Sequence, residues 1–225
     1  MSLADRVAEV RERMAQAATR SGRPASAVQL VAVSKYVDAA IARQLVAAGC
    51  LDLGEARPQE LWHKAQALAD LTVRWHLVGH LQTNKVRRTL PLVELIHSVD
   101  SARLLDAINE VAPADRPARV LIEVNTSGDA SKHGLPLKEV EPLLVQIDHW
   151  PHVRVCGLMT MAAREGGFDI ARRNFADLRN LRDTLKPRVP DGVALDELSM
   201  GMSDDYEIAI EEGATLVRVG SVLFE

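Results

Sequence analysis

The sequence predicts an α/β protein folded as a (β/α)8 barrel, a TIM barrel, with one extra helix at its N-terminus. Short apolar segments, several rich in β-branched residues, alternate along the chain with amphipathic segments of helical spacing, which is the pattern of a parallel sheet. The 225 residues contain no linker-like stretch rich in proline, glycine or serine, and no shift in composition divides them. We therefore expect a single domain spanning residues 1–225.

The first predicted element is the extra helix. Apolar residues recur at helical spacing from Leu3 to Ala17, with charged residues outside this stripe. Ser2 and Asp5 have the spacing of a capping box, which fixes the start of the helix. Ser21–Gly22 interrupt the pattern and end it.

Eight strands alternate with further helices after this point. The predicted strands are short, apolar and bounded by glycine, serine or charge. They are Gln29–Val33, Leu51–Gly54, Val73–Val78, Leu92–His97, Arg119–Val124, Val153–Gly157, Leu195–Leu198 and Thr215–Val219. The predicted helices between them include Asp38–Ala48, Pro58–Ala69, Ser101–Val111, Lys138–Ile147, Ile170–Leu185 and Ser203–Glu212.

Eight such units predict either a closed barrel or a doubly wound open sheet. An open sheet usually carries a glycine-rich turn after its first strand. Here that turn is Val33-Ser34-Lys35-Tyr36, without glycine. We therefore favour the barrel, with the N-terminal helix covering the place where it closes; the chain is at the short end for this fold.

Composition argues against a nucleic-acid partner. The chain has 27 basic and 31 acidic residues, a net charge of −4, whereas proteins that bind nucleic acid electrostatically are usually basic. Aromatic residues make up only 4%, too few for a surface on which bases stack.

The sequence also predicts a cytoplasmic protein that does not bind membranes. No apolar run approaches the roughly 20 residues that cross a bilayer. The N-terminus is charged from Asp5 onward, unlike a secretory signal. Cys50 and Cys156 lack CxxC spacing and lie in apolar segments, so we expect buried thiols in a reducing compartment.

Barrels carry their functional residues at the C-terminal ends of the strands, and Lys35 follows the first predicted strand. A lysine at this mouth is expected to be partly desolvated, which favours the neutral amine that Schiff-base chemistry needs. The alternative is a lysine that extends into solvent.

The loops after the last two predicted strands are Ser199–Ser203 and Arg218–Ser221. Barrels commonly bind phosphate between these two loops, using backbone N–H groups and a helix N-terminus. Arg218 would add a positive charge, and Ser199 or Ser221 a hydroxyl. Asp204 and Asp205, at the start of the next helix, would compete with the anion.

These two predicted features adjoin each other in a closed barrel. The last strand pairs with the first, so Arg218 and Gly220 are expected to flank Lys35. A reactive amine beside a phosphate site favours a ligand that is an aldehyde carrying a phosphate.

No metal site is predicted. His76 and His80 would share a face only on a helix, and they lie on either side of a strand end and Gly79. We expect His80 to line the pocket.

Seven stretches resemble the pyridoxal-phosphate homeostasis protein family, in the right order from Val31 to Phe224. The resemblance implies a barrel related to the N-terminal domain of alanine racemase, a fold-type III barrel that holds pyridoxal 5′-phosphate (PLP) as a Schiff base on Lys35. It places Ser199, Arg218 and Gly220 at the phosphate, with Gly201 and Ser221 in the same loops. The stretches are LVAVSKY, LGEARPQE, WHLVGHLQTNKVR, HSVDS, EVNTSGDASKHGL, GLMTMA and LSMGMSDDYEIAIEEGATLVRVG.

One departure from the family affects the expected site. The family usually has asparagine after Gly54-Glu55, where this chain has Ala56, so a contact to the cofactor ring is in question. The loop 125–134 is composed of turn-forming residues and contains Lys132. We hypothesise that Lys132 approaches the cofactor during loading or release.

Three functions are compatible with these residues. The first is PLP homeostasis, in which a monomer holds the cofactor and passes it to apo forms of PLP-dependent enzymes, with no catalytic residue of its own. The second is an amino-acid racemase, which needs a base on each face of the cofactor. In alanine racemase the second base is a tyrosine from another domain, and the only tyrosines here are Tyr36 and Tyr206. The third is a Schiff-base aldolase acting on a sugar phosphate.

Overall fold

The computed structural model describes residues 1–129, 132–163 and 165–225, and within them eight parallel strands form one closed sheet. The first and last strands pair through Leu30 and Val217, which closes the barrel. The predicted barrel is confirmed, and the open sheet is wrong. The strands are β1 (Gln29–Val33), β2 (Asp52–Glu55), β3 (Arg74–Leu77), β4 (Leu95–Val99), β5 (Ala118–Asn125), β7 (Val153–Met159), β8 (Val193–Ser199) and β9 (Leu216–Val219), with a two-residue strand, β6 (Leu135–Pro136), beside β5.

Helices follow most strands and pack on the outside of the barrel. None of the helices in the described residues is long and apolar enough to cross a membrane. The α-helices are α1 (Leu3–Arg20), α2 (Ala39–Ala47), α3 (Pro58–Ala67), α4 (Val86–Thr89), α5 (Ala102–Val111), α6 (Leu137–Leu144), α7 (Gly167–Leu185) and α8 (Tyr206–Glu211). Short 3-10 helices are Ala25–Ala27, Thr83–Lys85, Leu90–Leu92, Ile147–His149 and Ser221–Leu223.

Several predicted boundaries differ from the structure by two or three residues, and two of them have a clear local cause. The fourth strand begins at Leu95 rather than Leu92, because Leu90–Leu92 form a 3-10 turn with Pro91 inside it. The last helix begins at Tyr206 rather than near Ser203. Its first residues are replaced by a turn in which the Met202 N–H donates to Asp205 Oδ1 at 2.6 Å.

The N-terminal helix α1 completes the ring of helices. It packs between α2 and α8, over the junction of β1 and β9, and it contacts the short 3-10 helix that follows β9. Its start is fixed by the predicted capping box: Ser2 Oγ accepts from the Asp5 N–H, and Asp5 Oδ2 accepts from the Ser2 N–H. The covering role of this helix is confirmed.

The inside of the barrel has an apolar layer and a polar layer. A small cluster that includes Val31, Leu95 and Leu121 fills part of the interior, separate from the larger core between the wall and the helices. Buried polar side chains, among them His97 and Arg218, occupy the rest of the interior. A strand side chain alternates between the two faces of the wall, so these charged groups lie where the sheet points inward.

Both cysteines are buried and free, as predicted. Burial raises the pKa of the Cys50 thiol. Since the thiolate is the reactive form, burial lowers the reactivity of Cys50.

Candidate functional site

A cavity of about 330 Å³ opens at the C-terminal end of the barrel. This volume is at the lower end of the range for small-molecule sites, about 300–1,000 Å³. It brings together residues from the loops after β1, β2, β3, β7, β8 and β9. The lining residues are Val33, Lys35, Tyr36, Ala56, Val78, Gly79, Met161, Met202, Ser203, Asp204, Arg218, Gly220 and Ser221.

Lys35 lies at the mouth of this cavity and is exposed. Its Nζ is 4.7 Å from the ring centroid of Tyr36, which is itself 85% exposed, so the ammonium lies over an aromatic face. The expected partial desolvation of Lys35 is wrong for this structure, because its side chain is exposed and no element among the described residues covers its end. The amine is accessible to a ligand in the cavity.

The backbone beneath Lys35 is held by a buried ion pair. Lys64 and Glu55 are 2% and 0% exposed, and Lys64 Nζ is 2.5 Å from Glu55 Oε1. The same ammonium donates to the carbonyl oxygen of Ser34 at 2.6 Å, and Ser34 Oγ donates to Glu55 Oε1 at 2.7 Å. Both the carbonyl group and the hydroxyl group of Ser34 are therefore held in place. Ser34 in turn positions the backbone of Lys35 at the end of β1.

Arg218 is the buried cation of the site. Its Nη1 donates to Ser199 Oγ at 2.6 Å, and its Nη2 donates to the carbonyl oxygen of Thr160 at 2.9 Å. Burial lowers its pKa to about 10, with Asp205 and Glu123 acting in the opposite direction. Arg218 therefore keeps its positive charge at neutral pH.

A chain of hydrogen bonds runs from Arg218 down the inside of the barrel. Ser199 Oγ is 2.8 Å from His97 Nδ1, and His97 Nε2 is 2.9 Å from His76 Nδ1. His76 Nε2 is 3.2 Å from Asp52 Oδ1. Burial lowers the pKa of His97 well below its usual value, so this ring is neutral.

A carboxylate lies at the lower end of this chain. Asp52 accepts only, because hydrogen bonds from His76 and Arg74 hold its pKa far below the usual range against the effect of burial, so His76 Nε2 carries a proton. The direction of the two bonds above it, between His76 and His97 and between His97 and Ser199, depends on the tautomers of the two rings. Arg218, which donates to Ser199, is the member of the chain that lines the cavity.

The last two loops are joined to each other above Arg218. The Gly220 N–H donates to Ser203 Oγ at 3.1 Å, and the Arg218 N–H donates to the carbonyl oxygen of Gly201 at 3.0 Å. Gly201 has φ +89°, and a Cβ there would lie 2.5 Å from Ala209 Cβ, so this turn requires glycine.

The predicted site residues separate into three groups. Lys35, Arg218, Gly220 and Ser221 line the same cavity. Ser199 and Gly201 lie behind them: both are buried, and each bonds to Arg218 rather than lining the cavity. His80 lies outside this cavity, beside a neighbouring hollow that it lines.

His76 and His80 do not converge. His76 points into the barrel, whereas the His80 ring stacks on His133 with 4.6 Å between centroids and faces Asp100. Lys132 lies away from the cavity lining, where its Nζ donates to the carbonyl oxygen of Ala162 at 2.6 Å.

Glu123 is a buried carboxyl group that sequence reasoning missed. It is 3% exposed at the end of β5, and burial raises its pKa to about 7, with Asp100 adding to the rise and His133 and Arg218 opposing it. The sequence did contain a signal for it: Glu123 is an acidic residue within the apolar run LIEV, and a side chain in a buried strand cannot reach solvent.

Replacing Glu123 with glutamine is expected to remove one pH-dependent part of the stability. The folded-state pKa lies above the unfolded value of 4.5, so the protonated carboxyl stabilises the fold at low pH. That contribution, roughly 3 kcal/mol, is lost as the pH rises to about 7 and beyond. Urea unfolding of PLP-free protein at pH 5 and pH 8 measures it.

The exposed Glu139→Gln variant is the matched control and is expected to follow the unaltered chain at both pH values. At pH 8 the Glu123→Gln variant is expected to have a higher free energy of unfolding than the unaltered chain and Glu139→Gln. Equal behaviour of all three proteins would contradict the raised pKa of Glu123.

Comparison with known proteins decides the family. Residues 6–225 match the family model described as "Alanine racemase, N-terminal domain". The chain belongs to this family. A pyridoxal phosphate homeostasis protein of Aquifex aeolicus is 41% identical over 225 residues, 100% of this chain and 98% of the relative. The family resemblance read from the motifs is confirmed.

Solved structures agree with the fold. PipY of Synechococcus elongatus, in a structure with PLP bound, is 36% identical with a TM-score of 0.86, and each chain is covered in full. Alanine racemase of Streptomyces coelicolor matches with a TM-score of 0.73 at 21% identity, over 96% of this chain and 58% of that one. The racemase therefore shares the barrel, and its additional length has no counterpart in this match.

Proposed function

We propose that this chain binds PLP and acts in PLP homeostasis, holding and delivering the cofactor without a reaction of its own. One observation carries the proposal: the accessible amine of Lys35 and the buried cation of Arg218 line one cavity. The homeostasis proteins among the relatives and the PLP-bound PipY support it.

The donor set of the cavity fits the cofactor. PLP brings an aldehyde that reacts reversibly with a primary amine and a phosphate that needs several donors. Arg218 has five N–H groups and uses two of its nitrogens on Ser199 and Thr160, which leaves donors for an anion. Ser203 and Ser221 add hydroxyl groups, and Lys35 supplies the amine for a Schiff base.

The cavity also contains one acidic residue. Asp204 lines it and opposes an anion, as the sequence suggested, whereas Asp205 caps the Met202 N–H. The positive charge of Arg218 therefore has to outweigh Asp204. Ala56 lines the cavity where the family has asparagine, so this chain binds the ring without a side-chain hydrogen bond from that position.

The tyrosines favour delivery over racemisation. Tyr36 lies beside Lys35, on the same side of the cavity, and Tyr206 is 1% exposed in the core. Neither offers a second base opposite Lys35, which racemisation through two bases requires. An exposed lysine at an open mouth suits release of the cofactor, since open sites leave reactive intermediates unprotected.

Several finer expectations belong to this proposal. We expect a cytoplasmic monomer whose partners are PLP and apo forms of PLP-dependent enzymes. The approach of Lys132 to the cofactor stays a prediction; it requires the bond to Ala162 to break. His80 is left out of the proposed cofactor contacts, since it lines the neighbouring hollow.

The test starts with purified full-length protein and excess PLP. The expected result is an absorbance band that collapses on borohydride reduction, with the pyridoxyl group on the peptide that contains Lys35. The loaded protein is also expected to restore activity to an apo-enzyme and to leave the configuration of free amino acids unchanged. No band would overturn the proposal and favour the sugar-phosphate aldolase, and racemisation would favour the enzyme.

A further inference from the structure

Three metal-ligating side chains converge at the rim of the barrel, beside the cavity. His80 follows β3, Asp100 follows β4 and His133 lies in the loop after β5. Their ligand atoms all lie within 4.8 Å of one another. His80 Nδ1 and His133 Nδ1 are each 3.8 Å from the same oxygen, Asp100 Oδ2.

These distances fit a shared ion better than direct bonds. At 3.8 Å neither imidazole is hydrogen-bonded to the carboxylate. Ligand atoms about 2.0–2.1 Å from a tetrahedral ion are about 3.3 Å apart, so both contacts need to shorten by about half an ångström. The ligands are on loops, with His80 and His133 43% and 59% exposed in their side chains, which permits this movement.

Contacts within the cluster also favour this arrangement. The two imidazole rings stack at 17°, and both Nδ1 atoms lie on the same side as Asp100 Oδ2. Asp100 Oδ1 accepts from Ser101 Oγ at 3.3 Å, which leaves Oδ2 for an ion. A hydrogen-bonded second oxygen of this kind commonly orients a carboxylate ligand.

We propose that His80, Asp100 and His133 bind a divalent transition-metal ion of the Zn²⁺ class. Two imidazoles and one carboxylate are ligands that Zn²⁺ accepts, and three protein ligands leave a coordination position open to water or a ligand. The ion would tie the loop that carries His133 to the rim next to Gly79, which lines the cavity. The site uses none of the proposed cofactor contacts.

Calorimetric titration of the full chain with ZnCl₂ tests this site, with and without bound PLP. We expect one ion per chain in both forms. His133→Ala and Asp100→Asn are expected to weaken Zn²⁺ binding at least tenfold, since even the loss of an indirect partner costs about 10- to 100-fold. The exposed His63→Ala, on α3, is the matched control and is expected to bind as the unaltered chain does.

Two results would overturn the site. One is Zn²⁺ affinity that His133→Ala and Asp100→Asn leave unchanged. The other is an equal loss in His63→Ala, which would indicate binding to surface histidines in general. Both variants retain Lys35 and Arg218, so PLP binding by them shows that they are folded. If the unaltered chain failed to bind PLP, that result would contradict the proposed function and would leave the metal site untouched.

Discussion

Replacing Lys35 with alanine is expected to abolish covalent retention of PLP and to leave the fold intact. The Lys35 side chain is exposed and lies over the face of the Tyr36 ring, so its loss removes little packing. Without its amine the cavity keeps Arg218 for the phosphate but has no nucleophile for the aldehyde. The mass of the intact protein after incubation with PLP and borohydride measures the retained cofactor.

Lys186→Ala is the matched control, because Lys186 is an exposed lysine paired with Asp196 far along the chain. It is expected to carry the same pyridoxyl mass as the unaltered protein. If Lys35→Ala carried the full pyridoxyl mass, PLP would be attached to another lysine, and the cavity beside Lys35 would not be the cofactor site.

The barrel could be predicted because its signal is local and repeated. Each strand is a short apolar run, and each helix has its own amphipathic stripe, so errors in one element do not spread to the next. The errors occurred where local chemistry changes the boundary. Pro91 extends a 3-10 turn into the predicted fourth strand, and the turn in which Asp205 accepts from the Met202 N–H delays α8.

The rim of the site could be predicted for a similar reason. Lys35, Gly220 and Ser221 follow strand ends, and a closed parallel barrel brings all strand ends to one mouth. Their meeting needs only the topology. The exposure of Lys35 could not be predicted, because it depends on whether another segment covers the mouth, and strand spacing carries no information on that.

The polar interior could not be predicted from the sequence. Asp52, His76 and His97 stand in separate strands, 21 to 24 residues apart, and only the register of the sheet joins them. Each one alone is a polar residue that weakens a strand pattern. Together they connect the lower end of the barrel to Ser199 and Arg218, so three residues that look unfavourable singly form one satisfied network.

The buried ion pair beneath Lys35 could not be predicted either, because its partners come from different elements. Glu55 is the last residue of β2, and Lys64 is on α3, where a lysine is ordinarily exposed. Here the helix packs its lysine inward, because Glu55 and the Ser34 carbonyl are the partners that make its burial possible.

Replacing Lys64 with methionine is therefore expected to destabilise the fold by about 3–5 kcal/mol. Methionine fills a similar volume, but it leaves Glu55 buried without its counter-ion, and Glu55 Oε2 already lacks a hydrogen-bond partner among the described residues. The free energy of unfolding in urea measures the loss. PLP affinity is expected to fall with it, since Ser34 then no longer holds the strand end that presents Lys35.

Two further variants separate charge from packing. In Glu55→Met/Lys64→Met both charges are gone, so most of the loss is expected to be recovered, because a buried ion pair can be exchanged for apolar side chains at little cost. Lys186→Met breaks an exposed pair, whose partners are 47% and 65% exposed, and is expected to cost less than about 1 kcal/mol. If Lys64→Met were no more costly than Lys186→Met, the pair would not be what fixes Ser34, and the position of Lys35 would depend on the strand alone.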